Sequence, residues 1–284
     1  LTGRDIFDDP RFDAILDHLA GVIREKELSF VTSPYGTLPA YAANGFLNIM
    51  ARVHGHAVAA RIQKIAIEVP PFKFSHGTQE HAYYHGAMWG LLTYDPAVKP
   101  AAHLPAQPPL QFFEDSGIAH YHDAQADVTL SLRCGPWCGH TAYRRAQGPC
   151  DRMDMMHGFG HFVLAVGNRT LLTTPDGGYR LQSATRSLML VDGQGPVGDI
   201  GYPMSIPSFR YRGEEIERTR WDDASHTGLI RLNLAPAYPE SLDMIRYIRE
   251  FMLYPGQRIV CRDTVLFGSP RKLDWHFQGD RKEG

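Results

Sequence analysis

The chain has 284 residues, a formal charge of −2, 43% hydrophobic and 21% charged residues. That composition suits a globular protein of one large domain or two ordinary ones. It provides no field to draw in nucleic acid or an anionic membrane, so neither is expected as a partner. No stretch approaches the roughly 18 apolar residues of a membrane span.

Residues 1–95 read as helical. Asp8-Asp9-Pro10 combines an acidic cap with a proline for the first turn. Phe12, Ile15, Leu16, Leu19, Val22 and Ile23 follow at helical spacing. A second helix is expected from about Tyr41, carrying Phe46, Leu47, Met50 and Val53. It pauses at His54-Gly55-His56, resumes through Val58, Ile62 and Ile65, and stops at Pro70-Pro71. A third begins near Thr78 and ends at Asp95-Pro96. Its His76, His81, Tyr83, Tyr84 and His85 form a polar cluster in which Tyr84 is a candidate base, but Tyr84, Met88 and Leu91 share one apolar stripe, which favours packing for Tyr84. Three helices cannot bury their faces alone, so the helical part reads as incomplete and the chain as a piece of a larger protein. Any targeting segment would then lie upstream.

Residues 96–111 hold five prolines and little periodicity, the mark of a seam between domains. Beyond Phe112 the pattern becomes that of strands. Val128, Leu130 and Leu132 alternate with Thr129, Ser131 and Arg133, the pattern of a strand. Residues 161–166 are almost wholly apolar, and Gly167-Asn168 turns them into Arg169–Thr173 as a hairpin. Ser187–Val191 leads into Asp192-Gly193. Ile230, Leu232 and Leu234 alternate, and Ile259–Phe267 reads as a buried strand. Many short strands with Gly and Pro turns predict an antiparallel sandwich. The expected division is a helical domain over 1–98, a linker over 99–111, and a β-sandwich over 112–284.

The four cysteines, Cys134, Cys138, Cys150 and Cys261, have no zinc-ribbon spacing and read as unpaired structural thiols. His140 is near enough in sequence to make a Cys/His site conceivable, with nothing else to support one.

Chemistry-bearing residues are densest over 133–195: Arg133-Cys-Gly-Pro-Trp-Cys-Gly-His140, Tyr143-Arg144-Arg145, His157-Gly-Phe-Gly-His161-Phe-Val-Leu, Thr174-Pro-Asp176-Gly-Gly-Tyr179, and Arg186-Ser-Leu-Met-Leu-Val-Asp192-Gly-Gln-Gly195. Their order resembles that in the heparinase II/III-like polysaccharide lyases. There, a strand ends in a Gly-Pro turn, a His- and Gly-containing segment opens a Phe-Val-Leu strand, and a Val-Asp-Gly strand end follows. The segment FEDSGIAHYHD at 113–123 is similar to the opening of that family's β domain. FDDPRFDAILDHL and the helices after it resemble the last helices of the family's (α/α) toroid. Gly-His-Phe-Val-Leu and the Arg-Ser before the Val-Asp-Gly strand lean toward its alginate-type exolyases.

The resemblance implies an α+β multidomain protein: the C-terminal helices of an incomplete (α/α) toroid followed by an antiparallel β-sandwich. It implies β-elimination on a uronate-containing glycan, in a secreted or periplasmic enzyme, or a cytoplasmic one if it acts on oligosaccharides. Such chemistry needs a base for the C5 proton, an acid for the departing 4-oxygen, and a group that holds the carboxylate. In the family the base and acid are usually a Tyr and a His placed before the helices seen here. A β-domain His helps neutralise the carboxylate. By motif position that residue is His161 or His157, with His161 preferred because it would sit at the mouth of the Phe-Val-Leu strand. Arg133, Tyr143, Arg144, Tyr179 and Arg186 are the expected contacts to an acidic polysaccharide or oligosaccharide.

Some members of the family bind zinc. Here the His-x-His-x-Asp run is replaced by Asp154-Met-Met-His157-Gly-Phe-Gly-His161, and the expected His before Val-Asp-Gly is Arg186. Only His157, His161 and Asp176 remain against the four ligands zinc wants, so no metal and no cofactor is expected.

Two other readings stand beside the lyase. One is a non-catalytic module that binds acidic glycans. The other is a hydrolase with paired carboxylates at Glu114/Asp115 or Glu214/Glu215, which spacing disfavours because neighbours on a strand point to opposite faces.

Overall fold

The computed structural model describes residues 11–24, 29–32, 36–39, 47, 50–51, 56–68, 96–136, 139–146, 159–167, 169–172, 186–197 and 211–279. Two compact units emerge. The first spans Leu1–Val31 and Thr37–Pro108, the second Thr32–Gly36 and Pro109–Gly284.

In the first unit, helix α1 (Arg11–Val22) and helix α2 (Ala57–Glu68) share a core. Leu16 and Ala20, one turn apart, meet Leu47, Met50, Ala51, Ala59, Ala60 and Ile62, all buried. Ile15, expected on the same stripe, is 42% exposed, because the apolar face is narrower than the run of hydrophobic residues. His56 marks the start of α2: its N–H donates to Met50 O at 3.2 Å, and its Nδ1 accepts the Ala59 N–H at 3.4 Å. The helical expectation for 1–95 fails at 23–24, 29–32 and 36–39. There β1 (Ile23–Arg24), β2 (Ser29–Thr32) and β3 (Gly36–Pro39) form a small sheet in the order β1-β2-β3. Ser-Phe-Val-Thr is β-branched and aromatic, and that local preference prevails. The third expected helix lies outside the described residues.

The second unit is mostly antiparallel sheet and sandwich-like. One sheet runs β4 (Leu110–Phe113), β5 (Ile118–Asp123), β6 (Val128–Cys134), β7 (Phe159–Val166), β8 (Arg169–Leu172). After β6 comes a short helix, α3 (His140–Ala146). A two-stranded ribbon pairs β9 (Met189–Val191) with β14 (Leu273–Trp275). The other sheet is β10 (Glu215–Asp222), β11 (Thr227–Asn233), β12 (Met244–Tyr254) and β13 (Arg258–Phe267).

The core lies between the two large sheets. Tyr121, Leu130, Leu132 and Phe162 come from one, and Ile230, Leu232, Tyr247, Phe251 and Leu253 from the other. Phe162 meets Phe251 edge-on with ring centres 5.0 Å apart. The hairpin expected at Gly167 is present, pairing Val166 with Arg169. Thr129, Ser131 and Arg133 are buried like their apolar neighbours, so β6 is covered on both faces. One expectation changes: β13 is an edge strand whose exposure alternates, not a buried one, because only its inward residues reach the core.

Candidate functional site: a cleft beside the Gly-Pro turn

Strand β6 ends at Arg133-Cys134, and Gly135-Pro136 turns the chain away. The Glu114–Gly117 turn is sewn to this end: Gly117 N–H donates to Glu114 O at 3.2 Å, and Cys134 N–H to Gly117 O at 2.9 Å. Residue 117 has to be glycine. Its φ is +61°, and a Cβ there would lie 2.1 Å from the Cys134 carbonyl oxygen. Asp115 ties the same turn to α3: its backbone carbonyl accepts His140 N–H at 2.7 Å, and its Oδ1 accepts Thr141 N–H at 2.7 Å. The Thr141 hydroxyl and amide, with help from His140 and Arg144, hold the Asp115 carboxyl below the usual carboxylate range.

These pieces and β10 surround a cleft of about 720 Å³. Glu114, Asp115, Glu215 and Glu217 supply carboxylates to its walls, and His140, Arg144 and Arg218 supply cationic and imidazole groups. Behind His140 stands Tyr211, edge-on at 5.8 Å, and Tyr143 packs on the same ring at 5.1 Å. Burial, then Glu215 and Glu214, push the Tyr211 phenol up to about 12. It stays protonated at neutral pH and is a hydrogen-bond donor, not a base.

A second polar cluster is sealed in the interior. His161 is 0% exposed, Arg186 3% and Arg249 0%. Ser187 N–H donates to His161 Nδ1 at 3.1 Å, so the neutral ring carries its proton on Nε2. Burial first, and then Arg186 and Arg249, drive the imidazole well below its ordinary titration range. Arg249 forks onto Asp263, Nε to Oδ1 and Nη2 to Oδ2, both at 2.8 Å. Its Nη1 donates to Ser187 O at 2.7 Å and Gly160 O at 3.1 Å.

The expected site residues are therefore divided. Arg144 lines the cleft, and Tyr143 buttresses it through Tyr211. Arg133 is buried under the Gly-Pro turn, donating to Pro136 O at 3.2 Å. Arg186 lies in the interior beside His161. His157 and Tyr179 lie outside the described residues. His161 does not sit at an open strand mouth: β7 starts two residues earlier, and residues 186–188 run beside it.

The carboxylate pairs also differ from expectation. Glu114 and Asp115 occupy a turn, not a strand, and both reach the cleft, as does Glu215. Glu214 is instead buried and accepts Arg212 N–H at 2.9 Å. Tyr211 and Arg218 were not singled out by sequence reading, Asp115 entered only through the disfavoured Glu114/Asp115 pair, and His140 only as a conceivable partner of the cysteines. The only available signal was the density of polar residues on either side of Gly135-Pro136.

Cys134 and Cys261 are free thiols, while Cys138 and Cys150 lie outside the described residues. Among the described residues, no group of three or more His, Cys, Asp or Glu is placed to hold a metal ion, and no helix is long and apolar enough to cross a membrane.

No protein-family model matches this chain, and no curated protein matches it significantly in sequence.

Proposed function

We propose that this chain is the C-terminal portion of a polysaccharide lyase of the heparinase II/III-like kind, acting on a uronate glycan such as alginate, and that its sandwich binds and orients the acidic sugar. The observation that carries this reading is a coincidence of place. The FEDSG turn and the Arg-Cys-Gly-Pro strand end, two of the segments on which the family resemblance rests, meet at one cleft whose walls carry Arg144, Arg218 and His140.

In the reaction, a base takes the C5 proton, and the C5–H electrons form the C4–C5 double bond. The C4–O bond breaks, and an acid protonates the leaving oxygen. Charge builds on the C6 carboxylate along the way and requires cationic or hydrogen-bond donors. The sandwich contributes these donors. The proton transfers belong to helical-domain groups, as the resemblance implies. A sealed, neutral His161 and a phenol at about 12 are poorly suited to them.

That last observation also favours a second reading, an acidic-glycan-binding module without turnover. The two are separated by incubating the protein that carries this chain with alginate, heparinoids, hyaluronan and ulvan. A rise in ultraviolet absorbance from the unsaturated product supports the lyase. Binding with no rise on any polymer supports the module and removes the lyase.

A further inference from the structure

We propose that α3 is a hinged flap on the cleft, held shut by one residue of the facing turn, Asp115, and by one ring, Tyr211. Open, it withdraws His140 and Arg144 from the cleft together. Closed, it returns both. The proposal concerns the protein's own motion and stands apart from the glycan reading.

A helix of seven residues does not hold itself together in water, since isolated helices shorter than about 12–15 residues are marginal. Burial does not hold α3 in place either. None of its side chains is buried, and Thr141, Ala142, Arg144, Arg145 and Ala146 are exposed. What fixes it is a small set of contacts, and among the described residues these converge on two partners. The Asp115 carbonyl accepts the His140 N–H and its Oδ1 accepts the Thr141 N–H, both at 2.7 Å. Arg144 adds its field to the same carboxylate. The Tyr211 ring meets His140 and Tyr143 edge-on. An element with so little burial to lose opens locally far more often than the whole fold unfolds.

The chain enters α3 through two glycines in conformations that other residues seldom adopt, Gly135 with φ +135° and Gly139 with φ +83°. Gly139 also lets the flap close, because a Cβ there would lie 2.6 Å from Asp115 Oδ2. The facing wall is fixed. Glu215, Glu217 and Arg218 belong to β10, which is paired along its length with β11. Glu114 belongs to the turn sewn to the end of β6. Motion of α3 alone therefore sets the width of the cleft, and it takes an imidazole and a guanidinium away from a wall of carboxylates.

The test is hydrogen exchange of the full chain, read by mass spectrometry on peptides covering α3 and, as a reference, the β11–β12 pair. Hydroxyl-radical footprinting reads the exposure of the Tyr211 ring in the same samples. In the unmodified chain the α3 amides should exchange at least about tenfold faster than those of β11–β12, as local opening requires. Asp115→Ala should speed α3 exchange by a further factor on the order of tenfold, for the loss of one charge-assisted hydrogen bond. It should also raise oxidation of Tyr211 and leave β11–β12 unchanged. Asp115→Asn keeps an acceptor for the Thr141 N–H and should fall between the two. Tyr211→Leu removes the other anchor and should accelerate α3 alone, which keeps the proposal testable if Asp115→Ala does not fold.

Three results would each overturn the flap: α3 amides protected as strongly as those of β11–β12, α3 exchange left unchanged by Asp115→Ala or by Tyr211→Leu, or acceleration shared equally by α3 and the reference strands. Faster α3 exchange with Tyr211 still protected in Asp115→Ala would mean that the helix frays in place, and would overturn it as well. Faster exchange confined to α3, together with newly oxidised Tyr211, supports it.

Discussion

A histidine buried among two guanidiniums has a thermodynamic signature. His161 is neutral in the fold because desolvation and the fields of Arg186 and Arg249 oppose a further charge. In the unfolded chain it titrates near its ordinary value of about 6.5. The sign follows from proton uptake. Below about pH 6.5 the unfolded state binds a proton that the native state does not, so the stability due to this residue is complete above that pH and is lost as pH falls. While only the unfolded state is protonated, the loss is about 1.4 kcal/mol per pH unit. His161→Asn keeps an acceptor for the Ser187 N–H and cannot titrate. Denaturant unfolding at pH 7.5 and pH 5 should show the gap between the two proteins narrowing, or reversing, toward acid. A gap independent of pH would mean that His161 titrates in the fold as it does in the unfolded chain. The sequence marked this histidine as special but placed it wrongly, since burial depends on what residues 186–188 lie against.

Arg249 holds elements together. It lies on β12, forks onto Asp263 of β13, and donates to Gly160 O of β7 and Ser187 O before β9. Asp263 also accepts Trp275 Nε1–H of β14 at 2.8 Å. The pair thus ties three strand systems at one buried point. Gly160 makes room nearby: its φ is +75°, and a Cβ would come within 2.9 Å of Leu234 Cδ1. Arg249→Met leaves Asp263 with an uncompensated buried charge and should destabilise the fold by about 3–5 kcal/mol. Arg249→Met with Asp263→Asn should recover part of that loss. Denaturation midpoints read both, with Trp275 fluorescence reporting locally. A single variant within about 1 kcal/mol of the parent would show that the fork contributes little. Sequence reading did not single out Arg249, because its partners come from distant strands that local patterning does not reveal.

At the scale of the whole sandwich, the two large sheets are joined by their apolar faces and by Asp123. Its Oδ1 accepts the amides of Gln125 at 2.9 Å and Ala126 at 3.1 Å, shaping the β5–β6 turn. Its Oδ2 accepts Gly256 N–H at 2.6 Å, from the β12–β13 turn of the opposite sheet. Burial raises this carboxyl, but the Gly256, Ala126 and Gln125 amides outweigh it and leave the net shift downward. A lowered carboxyl contributes stability that is present above its ordinary value of about 3.9 and lost as pH falls through the folded value. Asp123→Ala should cost about 2–3 kcal/mol at neutral pH, and less below pH 4. An unfolding series across pH checks both size and trend. A cost that does not shrink in acid would assign the effect to turn geometry and not to the charge.

The sequence by itself marked strands at β6, β7, β8, β9, β11 and β13 of the second unit, and left β10, β12 and β14 unread. Alternation at Leu130 and Leu132, the Gly167 and Asp192-Gly193 turns, and the apolar run at 161–166 each express a backbone preference that acts over a few residues. Pairing order, edge position and burial of the polar face of β6 were settled only by the tertiary structure, as was the meeting of Glu114, Arg144, Glu215 and Arg218 around one cleft. Those properties depend on residues about a hundred positions apart, and short-range periodicity carries no information about which distant surfaces will be brought together to bury the core.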